Sequence, residues 1–541
     1  MNPRTILNDA ILAAVEALDL PPVTGQLTPP KNPEFGDFTS NIALVLAKKA
    51  RQKPLDLAHR IADALDLPEG FATVSVTHPG FINFKLSNSY YYAVLKSILA
   101  NSHQYGQSRI GAGKTANVEF VSANPTGPLT VGHGRQAVLG DTVASILEWH
   151  GYEVTREYYY NDAGRQMRIL AASVEARYRE LLGEPAEFPE DGYQGDYIRD
   201  IAQSIRERHG DSLEPGAAPF RTAAEETIFE DIKSTLQALG VVHSRFSNEQ
   251  SFYDNGAIDQ TLADLRARDL IYGKEGAVWL RTTGMGKDKD TVLIKKTGEP
   301  TYRLPDMAYH RDKFDRGYDL IVDIFGADHI ATYPDVLAVL KTLDYDTRKV
   351  RVLIHQFVTL LRSGKVVKMS TRKATYVTLR ELIDRLGSDV VRYFFIMRGM
   401  NSHLNFDLDL AEDQSEKNPV FYLQYAHART ANILVHAKAF GLEPESDFKV
   451  NRLGLPEEIN LLKELSRIPQ VWESALESLE PQLIAQNLQN LATAFHKFYT
   501  VCRVVTNDRE LSLARLAVVS AVKAVLKNGL EILGLTAPDR M

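Results

Sequence analysis

The chain has 541 residues, 44% of them hydrophobic and 24% charged, with a net charge of −7. That length exceeds a single core and sets an expectation of about two to four soluble globular domains. The mild acidic balance weighs against a protein that coats nucleic acid, and leaves room for a selective RNA partner met by local basic patches. The one cysteine, Cys502, excludes an internal disulfide or a cysteine-built metal site. It reads as a small buried hydrophobe in a cytosolic protein.

Residues 1–20, MNPRTILNDAILAAVEALDL, carry acids inside an apolar run and predict an amphipathic helix rather than a signal peptide. Nowhere does the chain hold the roughly 20 apolar residues that span a bilayer, so a soluble, intracellular protein is expected. Up to about residue 105, helical spacing in ILNDAILAAVEAL and PLDLAHRIADALDL alternates with TVSVTHPGFINFKL, two short strands around a Pro-Gly turn. A small α+β domain follows from this, joined by the polar connector NSHQYGQSRIGAGKT. GAGKT (111–115) ends like a phosphate-binding P-loop, but Ser108 stands where the first glycine belongs, and the run precedes a strand instead of following one.

From about 110 to 410, strand and helix candidates alternate. TANVEFVSA reads as a strand ending at Asn124, RQAVLGDTVASILEWHG as a helix stopped by Gly151, and YEVTREYYY as a strand. YDLIVDIFGA, PDVLAVLKTL, KVRVLIHQFV and VTLRELIDRLG continue the alternation. This pattern predicts a parallel, doubly wound sheet. A helical stretch at about 170–250 reads as an insertion. Beyond about 412 strand signals vanish, and four long periodic segments predict an all-helical bundle.

Two segments carry phosphate chemistry. In EFVSANPTGPLTVGHGR (119–135), Pro125, Gly127 and Pro128 shape a turn before a helix start. Gly132 leaves room for a ligand there, and His133 stands among free backbone N–H groups at the positive dipole end. An ordinary strand–turn–helix connection with a surface histidine accounts for the segment equally well. In SGKVVKMSTRKATYVTL (363–379), Lys368, Arg372 and Lys373 put cations on a short loop, as a leaving pyrophosphate requires, with Met369 as a packing anchor. A solvated basic turn is the alternative there.

Together, V-G-H at the first strand–helix junction and K-M-S downstream resemble the paired signatures of class I aminoacyl-tRNA synthetases. The chain is similar almost end to end to the arginyl-tRNA synthetase family. The resemblance runs through YYYNDAGRQ (158–166), GYQGDYI (192–198), PTYRLPDMAYH (300–310), FGADH (325–329), LIHQFVTLLRSGKVVKMS (353–370), NPVFYLQYAHAR (418–429) and LEILGLTAPDRM. It implies a Rossmann-like doubly wound α/β catalytic domain over 107–411, a small α+β N-terminal domain over 1–106 that meets the tRNA elbow, and an all-α anticodon-binding bundle over 412–541. It also implies an activity: arginine and ATP give arginyl-adenylate, and the arginyl group passes to the 3′-terminal adenosine of tRNA(Arg), with tRNA bound before arginine is activated. Mg²⁺ is expected with ATP, and a cytoplasmic monomer is expected.

By this resemblance His133, Lys368 and Ser370 are catalytic. Thr130, Gly132, Gly326, Asp328, His329, Met369 and Arg372 join His133 and Lys368 around ATP. Glu119, Ser122 and Asn124 grip the α-amino and carboxylate groups of arginine, and Tyr302 and Asp306 recognise its guanidinium. A planar, permanently charged guanidinium favours a carboxylate that accepts two parallel N–H bonds, which suits Asp306; apart from the resemblance, Tyr302 and Asp306 read as an ordinary tyrosine and aspartate at a helix start. Tyr422, Tyr425, His427 and Arg429 are candidates for tRNA contact, although their helical spacing equally suits packing. Asn161, Asp162 and Gly164 are expected to support the acceptor-end site. Two positions depart from the family signatures: Thr130 replaces a histidine, and Thr371 replaces a lysine that Arg372 or Lys373 can stand in for. A synthetase for another amino acid, lysine foremost, and a non-catalytic tRNA-binding relative are the rivals. Asp306 argues against the first, and His133 with Lys368 against the second. No His-Glu-x-x-His or paired metal spacing occurs, so no protein-held metal is expected.

Overall fold

The structure is a computed structural model that describes residues 3–541 apart from 25–26, 328–329, 331, 368–376 and 444–447. The N-terminal region folds as expected. Helices Ile42–Ala50 and Pro54–Asp63 pack on a four-stranded sheet whose strands Ala72–Thr77 and Phe81–Leu86 form the hairpin read from the sequence, Pro3–Ala17 packs on Pro54–Asp63, and Asn88–Ala100 packs on the C-terminal helices Pro456–Ser478 and Arg509–Ile532. The apolar positions of the first three helices repeat at helical spacing, and Leu7, Ile11, Ala43, Leu46, Leu57 and Ile61 are buried as one face.

The central sheet has five parallel strands in the spatial order Val350–His355, Leu320–Gly326, Thr115–Glu119, Glu153–Tyr160, Arg245–Asn248. Numbered along the chain this is 5-4-1-2-3, the doubly wound order whose direction reverses between the first and fourth strands. Because all five strands are parallel, their C-terminal ends share one edge. The reversal opens a crevice at that edge, between Thr115–Glu119 and Leu320–Gly326.

The first strand stops at Glu119, five residues before the expected Asn124. Val121 and Ser122 take left-handed backbone angles, φ 70° and 42°, which no ladder accommodates. The region expected as a helical insertion holds Gly164–Leu182, Asp196–His209 and Pro219–Ala238, and ends in Arg245–Asn248, the edge strand of the central sheet. A further three-stranded sheet (Ile271–Lys274, Ala277–Leu280, Thr291–Ile294) was not legible beforehand. With helix Arg303–Asp315 it surrounds a second, smaller core around Phe252, Leu265, Leu280, Leu304 and Met307.

The C-terminal region is the expected bundle: Pro419–Ala439, Pro456–Ser478, Gln482–Val501 and Arg509–Ile532. It is docked on the rest of the chain. Trp472 is fully buried, its ring 5.6 Å from Trp149 at the end of helix Val131–Trp149. The buried His150 lies 2.8 Å from the Ser108 hydroxyl and 3.2 Å from the Trp472 carbonyl. Lys463 pairs with Asp37 at 2.8 Å, and Tyr105 donates to the Leu465 carbonyl at 3.0 Å, which ties in the N-terminal domain. Cys502 is buried, as read.

Candidate active site

Helix Val131–Trp149 begins at the crevice. Its N-cap is Thr130, whose hydroxyl accepts from the His133 backbone N–H at 3.5 Å while the Thr130 N–H donates to His133 Nδ1 at 3.2 Å. The threonine that replaces a histidine is therefore engaged as a helix cap. The second bond fixes the imidazole as well. Nδ1 accepts, so the ring proton sits on Nε2, and the ring offers a neutral N–H donor at a helix N-terminus. Among the described residues, packing does not demand glycine at 132: a Cβ there would meet only the Thr130 hydroxyl, at 3.7 Å. At Gly134 a Cβ would lie 2.5 Å from Leu379. Arg135 points inward and donates to the carbonyls of Gln356, Gly399 and Ser402, which staples those segments to the helix.

Lys368, Met369, Ser370, Thr371, Arg372 and Lys373, with Asp328 and His329, lie outside the described residues. Beyond the K-M-S segment Thr378 pairs with Thr130, and the Leu379 N–H donates to the Leu129 carbonyl at 2.8 Å. Gly326 ends its strand beside His355 at the same sheet edge.

The amino-acid segment is braced from the neighbouring strand. The Ser122 hydroxyl donates to Glu119 at 2.8 Å and accepts from the Tyr159 N–H at 3.2 Å. The Asn124 carbonyl oxygen accepts from the Asn161 N–H at 3.0 Å, and its amide donates to Gln166 at 2.7 Å. Tyr197 of the GYQGDYI motif donates to the Thr126 carbonyl at 2.8 Å and covers the Pro-Thr-Gly-Pro turn. The left-handed β-branched Val121 is strained, and strain of this kind persists where surrounding contacts over-determine the backbone.

Tyr302 is the N-cap of helix Arg303–Asp315 and is 64% exposed, while Asp306 sits half-buried in its first turn. Asp306 has an acidic companion that the sequence did not reveal. Glu249, just past the edge strand, is buried and accepts from the Tyr159 hydroxyl at 3.0 Å and the Asn161 amide at 2.9 Å. Burial, reinforced by the charges of Asp306 and Asp162, pushes its carboxyl up to about 7. A buried acid whose proton affinity is raised by a neighbouring carboxylate is the complement of a guanidinium, which would pair with both. Asn161 thus supports this pocket. Asp162 accepts from the Asn248 amide at 2.7 Å and the Gln250 N–H at 2.9 Å and holds the start of the Glu249 helix.

The same helix supplies His310 and Lys313. His310 Nδ1 lies 2.8 Å from the Asp306 carbonyl and Nε2 3.1 Å from the Asp323 carboxylate. Both partners accept, so both nitrogens donate and the ring is an imidazolium. Burial opposes that charge, but Asp323 outweighs it and raises the pKa. In the sequence these residues look like any polar stretch of helix.

The tRNA candidates separate. His427 is buried and bonded to the Pro538 carbonyl at 2.8 Å, so it faces the core, the packing alternative that its helical spacing left open. Tyr422 is half-buried against the His496 ring at 4.8 Å. Tyr425 and Arg429 line an open cleft of about 1240 Å³ with His436, Phe440, Tyr499 and Arg503. The Arg429 guanidinium stands 4.8 Å from the Tyr425 ring and 4.9 Å from Tyr499. Flat aromatic faces beside a cation suit an unstacked base.

Comparison with known proteins follows this division. Three family models match: the arginyl tRNA synthetase N terminal domain over residues 4–86, the tRNA synthetases class I (R) catalytic domain over 94–389, and the DALR anticodon binding domain over 423–541. The arginine–tRNA ligase of Salinibacter ruber is 50% identical, covering 95% of this chain and 96% of its own. That of Desulfotalea psychrophila is 51% identical, covering 95% and 94%. The solved Thermus thermophilus arginyl-tRNA synthetase superposes with a TM-score of 0.79 over 100% of both chains at 22% identity, a likeness of fold. With the class I catalytic model spanning more than half its length and curated relatives about half identical from end to end, the chain belongs to the arginyl-tRNA synthetase family of the class I aminoacyl-tRNA synthetases.

Proposed function

We propose that the chain is an arginine–tRNA ligase working as a cytoplasmic monomer. One observation supports the reading: a histidine-bearing helix N-terminus suited to phosphates follows the first strand of the sheet, and the neighbouring acids Glu249, just past the edge strand, and Asp306 suit a guanidinium. In the first step a carboxylate oxygen of arginine attacks the α-phosphorus of ATP in line, the bond to the bridging oxygen breaks, and pyrophosphate leaves with its electron pair. His133 Nε2–H and the first N–H groups of helix Val131–Trp149 hold phosphate oxygens as charge builds. Lys368 and Ser370 receive the departing pyrophosphate, aided by Met369 and Arg372, while Gly326, Asp328 and His329 border the adenosine. Glu119 takes the α-ammonium, with Ser122 and Asn124 fixing its surroundings. Asp306 and Glu249 take the guanidinium, and Tyr302 closes over it. Positioning and charge carry the reaction without a covalent enzyme intermediate.

In the second step the terminal adenosine's 2′-hydroxyl attacks the carbonyl carbon of the adenylate, its proton passes to a phosphate oxygen of the leaving AMP, and AMP departs. Mg²⁺ enters as part of the ATP substrate, held by its phosphates. Among the described residues no three His, Cys, Asp or Glu side chains are grouped to hold an ion, and no step is assigned to one. Tyr425 and Arg429 receive an anticodon base in the C-terminal cleft, with Tyr422 supporting that face, and tRNA binding precedes arginine activation. No helix among the described residues is long and apolar enough to cross a membrane.

Aminoacylation of bulk tRNA with labelled arginine and labelled lysine tests the reading. Arginine alone should be charged, and Asp306→Ala should raise the arginine KM by about 100-fold, the loss of a two-bond charge-assisted pair, with the ATP KM unchanged. Lysine charging, or an unaltered arginine KM in the variant, would discard the pocket.

A further inference from the structure

Three acids stand in a row across the central sheet. Asp323, Glu119 and Glu157 are paired positions on three adjacent parallel strands, about 5 Å apart at strand spacing. All three are buried. Facing them, three bases repeat every three residues on helix Arg303–Asp315 and its C-cap: His310, Lys313 and Arg316. His310 bonds Asp323 at 3.1 Å, and Arg316 bonds Glu157 at 2.8 Å. The fully buried Lys313 lies between Asp323 at 2.6 Å and Glu119 at 2.5 Å.

The three acids are not equally supported. Asp323 keeps His310 if Lys313 is lost, and Glu157 keeps Arg316 and the Ser247 hydroxyl. Glu119 is the middle acid, with a like charge on either side, and its ion pair among the described residues is with Lys313. Its other bond is the Ser122 hydroxyl. Carboxylates this close in a dry site cannot all stay ionised without cations.

We propose that Lys313 is a positioning residue for arginine: it keeps Glu119 ionised and aimed within the row of acids, so that Glu119 can accept the α-ammonium of the amino acid. This rests on the reading of Glu119 as the α-ammonium partner. Lys313 itself touches no substrate. The other titratable groups around its ammonium are Glu157 and His310, with which it interacts electrostatically, Tyr309, whose ring centre is 4.4 Å away, and Tyr159, stacked on Tyr309 at 4.3 Å. Asp323 and Glu119 outweigh burial and hold Lys313 charged above the usual lysine range, while Asp323 is held well below the carboxylate range. Neither changes charge near neutrality, so the wild-type device is constant.

The test is the arginine KM against pH in Lys313→Met and in Lys313→Met/Asp323→Asn, with tRNA saturating. In the single variant Glu119 loses the cation bonded to it and keeps the charge of His310, which is bonded to Asp323, so the row of acids holds an uncompensated negative charge that draws in a proton. Arginine binding must then displace that proton. Taken as a ratio to wild type at the same pH, which removes the dependence set by Glu249, the KM should be raised about tenfold or more near neutral pH and that excess should shrink as pH climbs, while the ATP KM holds. The double variant removes a like charge as well and should recover most of the loss at neutral pH. An arginine KM within twofold of wild type, a rise that ignores pH, or a parallel rise in the ATP KM would overturn the proposal. So would failure of both variants to give a folded circular dichroism spectrum, which would make Lys313 a residue of stability alone. Glu119→Gln separates the two claims: an unchanged arginine KM there removes the role of Glu119 itself, whatever Lys313 does.

Discussion

The acid pocket makes the arginine KM a pH-dependent quantity, and Glu249 sets where. Its carboxyl is pushed up to about 7 by burial and by the charges of Asp306 and Asp162. Only the ionised form pairs with a guanidinium, so affinity is lost as pH falls through that value and gained as pH rises. Binding weakens by a factor of one plus ten to the power of pKa minus pH: about 11-fold at pH 6 and about 1.1-fold at pH 8. The arginine KM should therefore fall about tenfold between those two pH values, equivalent to about 1.4 kcal/mol. Glu249→Gln should raise the KM at pH 8 and flatten the dependence, because the amide does not titrate over this range. Aminoacylation rates at saturating ATP and tRNA measure it, with the ATP KM as an internal control. A flat arginine KM in the wild type, or the same slope in Glu249→Gln, would refute the assignment of this acid to the pocket.

Gly132→Ala should leave the melting temperature unchanged, since its Cβ has room, yet raise the ATP KM. Gly134→Ala should instead lose about 1–3 kcal/mol of stability against Leu379, read by chemical denaturation. Arg392 is fully buried and joins the signature helix through Asp141 (2.7 Å), the insertion through the Leu239 carbonyl (3.1 Å) and the last helix through the Leu533 carbonyl (3.1 Å). Arg392→Met should cost about 3–5 kcal/mol, seen as a lowered melting temperature. Arg429→Ala should weaken tRNA binding by about tenfold at moderate salt, measured by filter binding, and leave tRNA-saturated arginine kinetics intact.

What could be read in advance follows from what is local. Amphipathic spacing located every long helix of the C-terminal bundle, and β-α alternation located all the long strands of the sheet, because both patterns live in windows of a dozen residues. Arg245–Asn248 escaped because RFSN is short and polar, an edge strand defined by pairing rather than by pattern. The stop at Glu119 escaped because the left-handed turn falls on Val121 and Ser122, where no glycine announces it. The family resemblance named Glu119, His133 and Asp306 one at a time. It could not reveal that Asp323, Glu119 and Glu157 stand side by side, since that depends on strand register, or that His310, Lys313 and Arg316 face them. Glu249 carries no motif of its own and gains meaning only from its burial beside Asp306. His427 shows the converse: a histidine within a family motif whose spacing allowed either tRNA contact or packing, and which packs by bonding the Pro538 carbonyl.

The central claim is that this sheet edge activates arginine and no other amino acid. ATP–pyrophosphate exchange measured with each of the twenty amino acids, with and without tRNA, tests it most directly. Exchange with arginine alone, appearing only when tRNA is added, is the predicted result. Exchange with a different amino acid, or none under any condition while tRNA still binds, would contradict it.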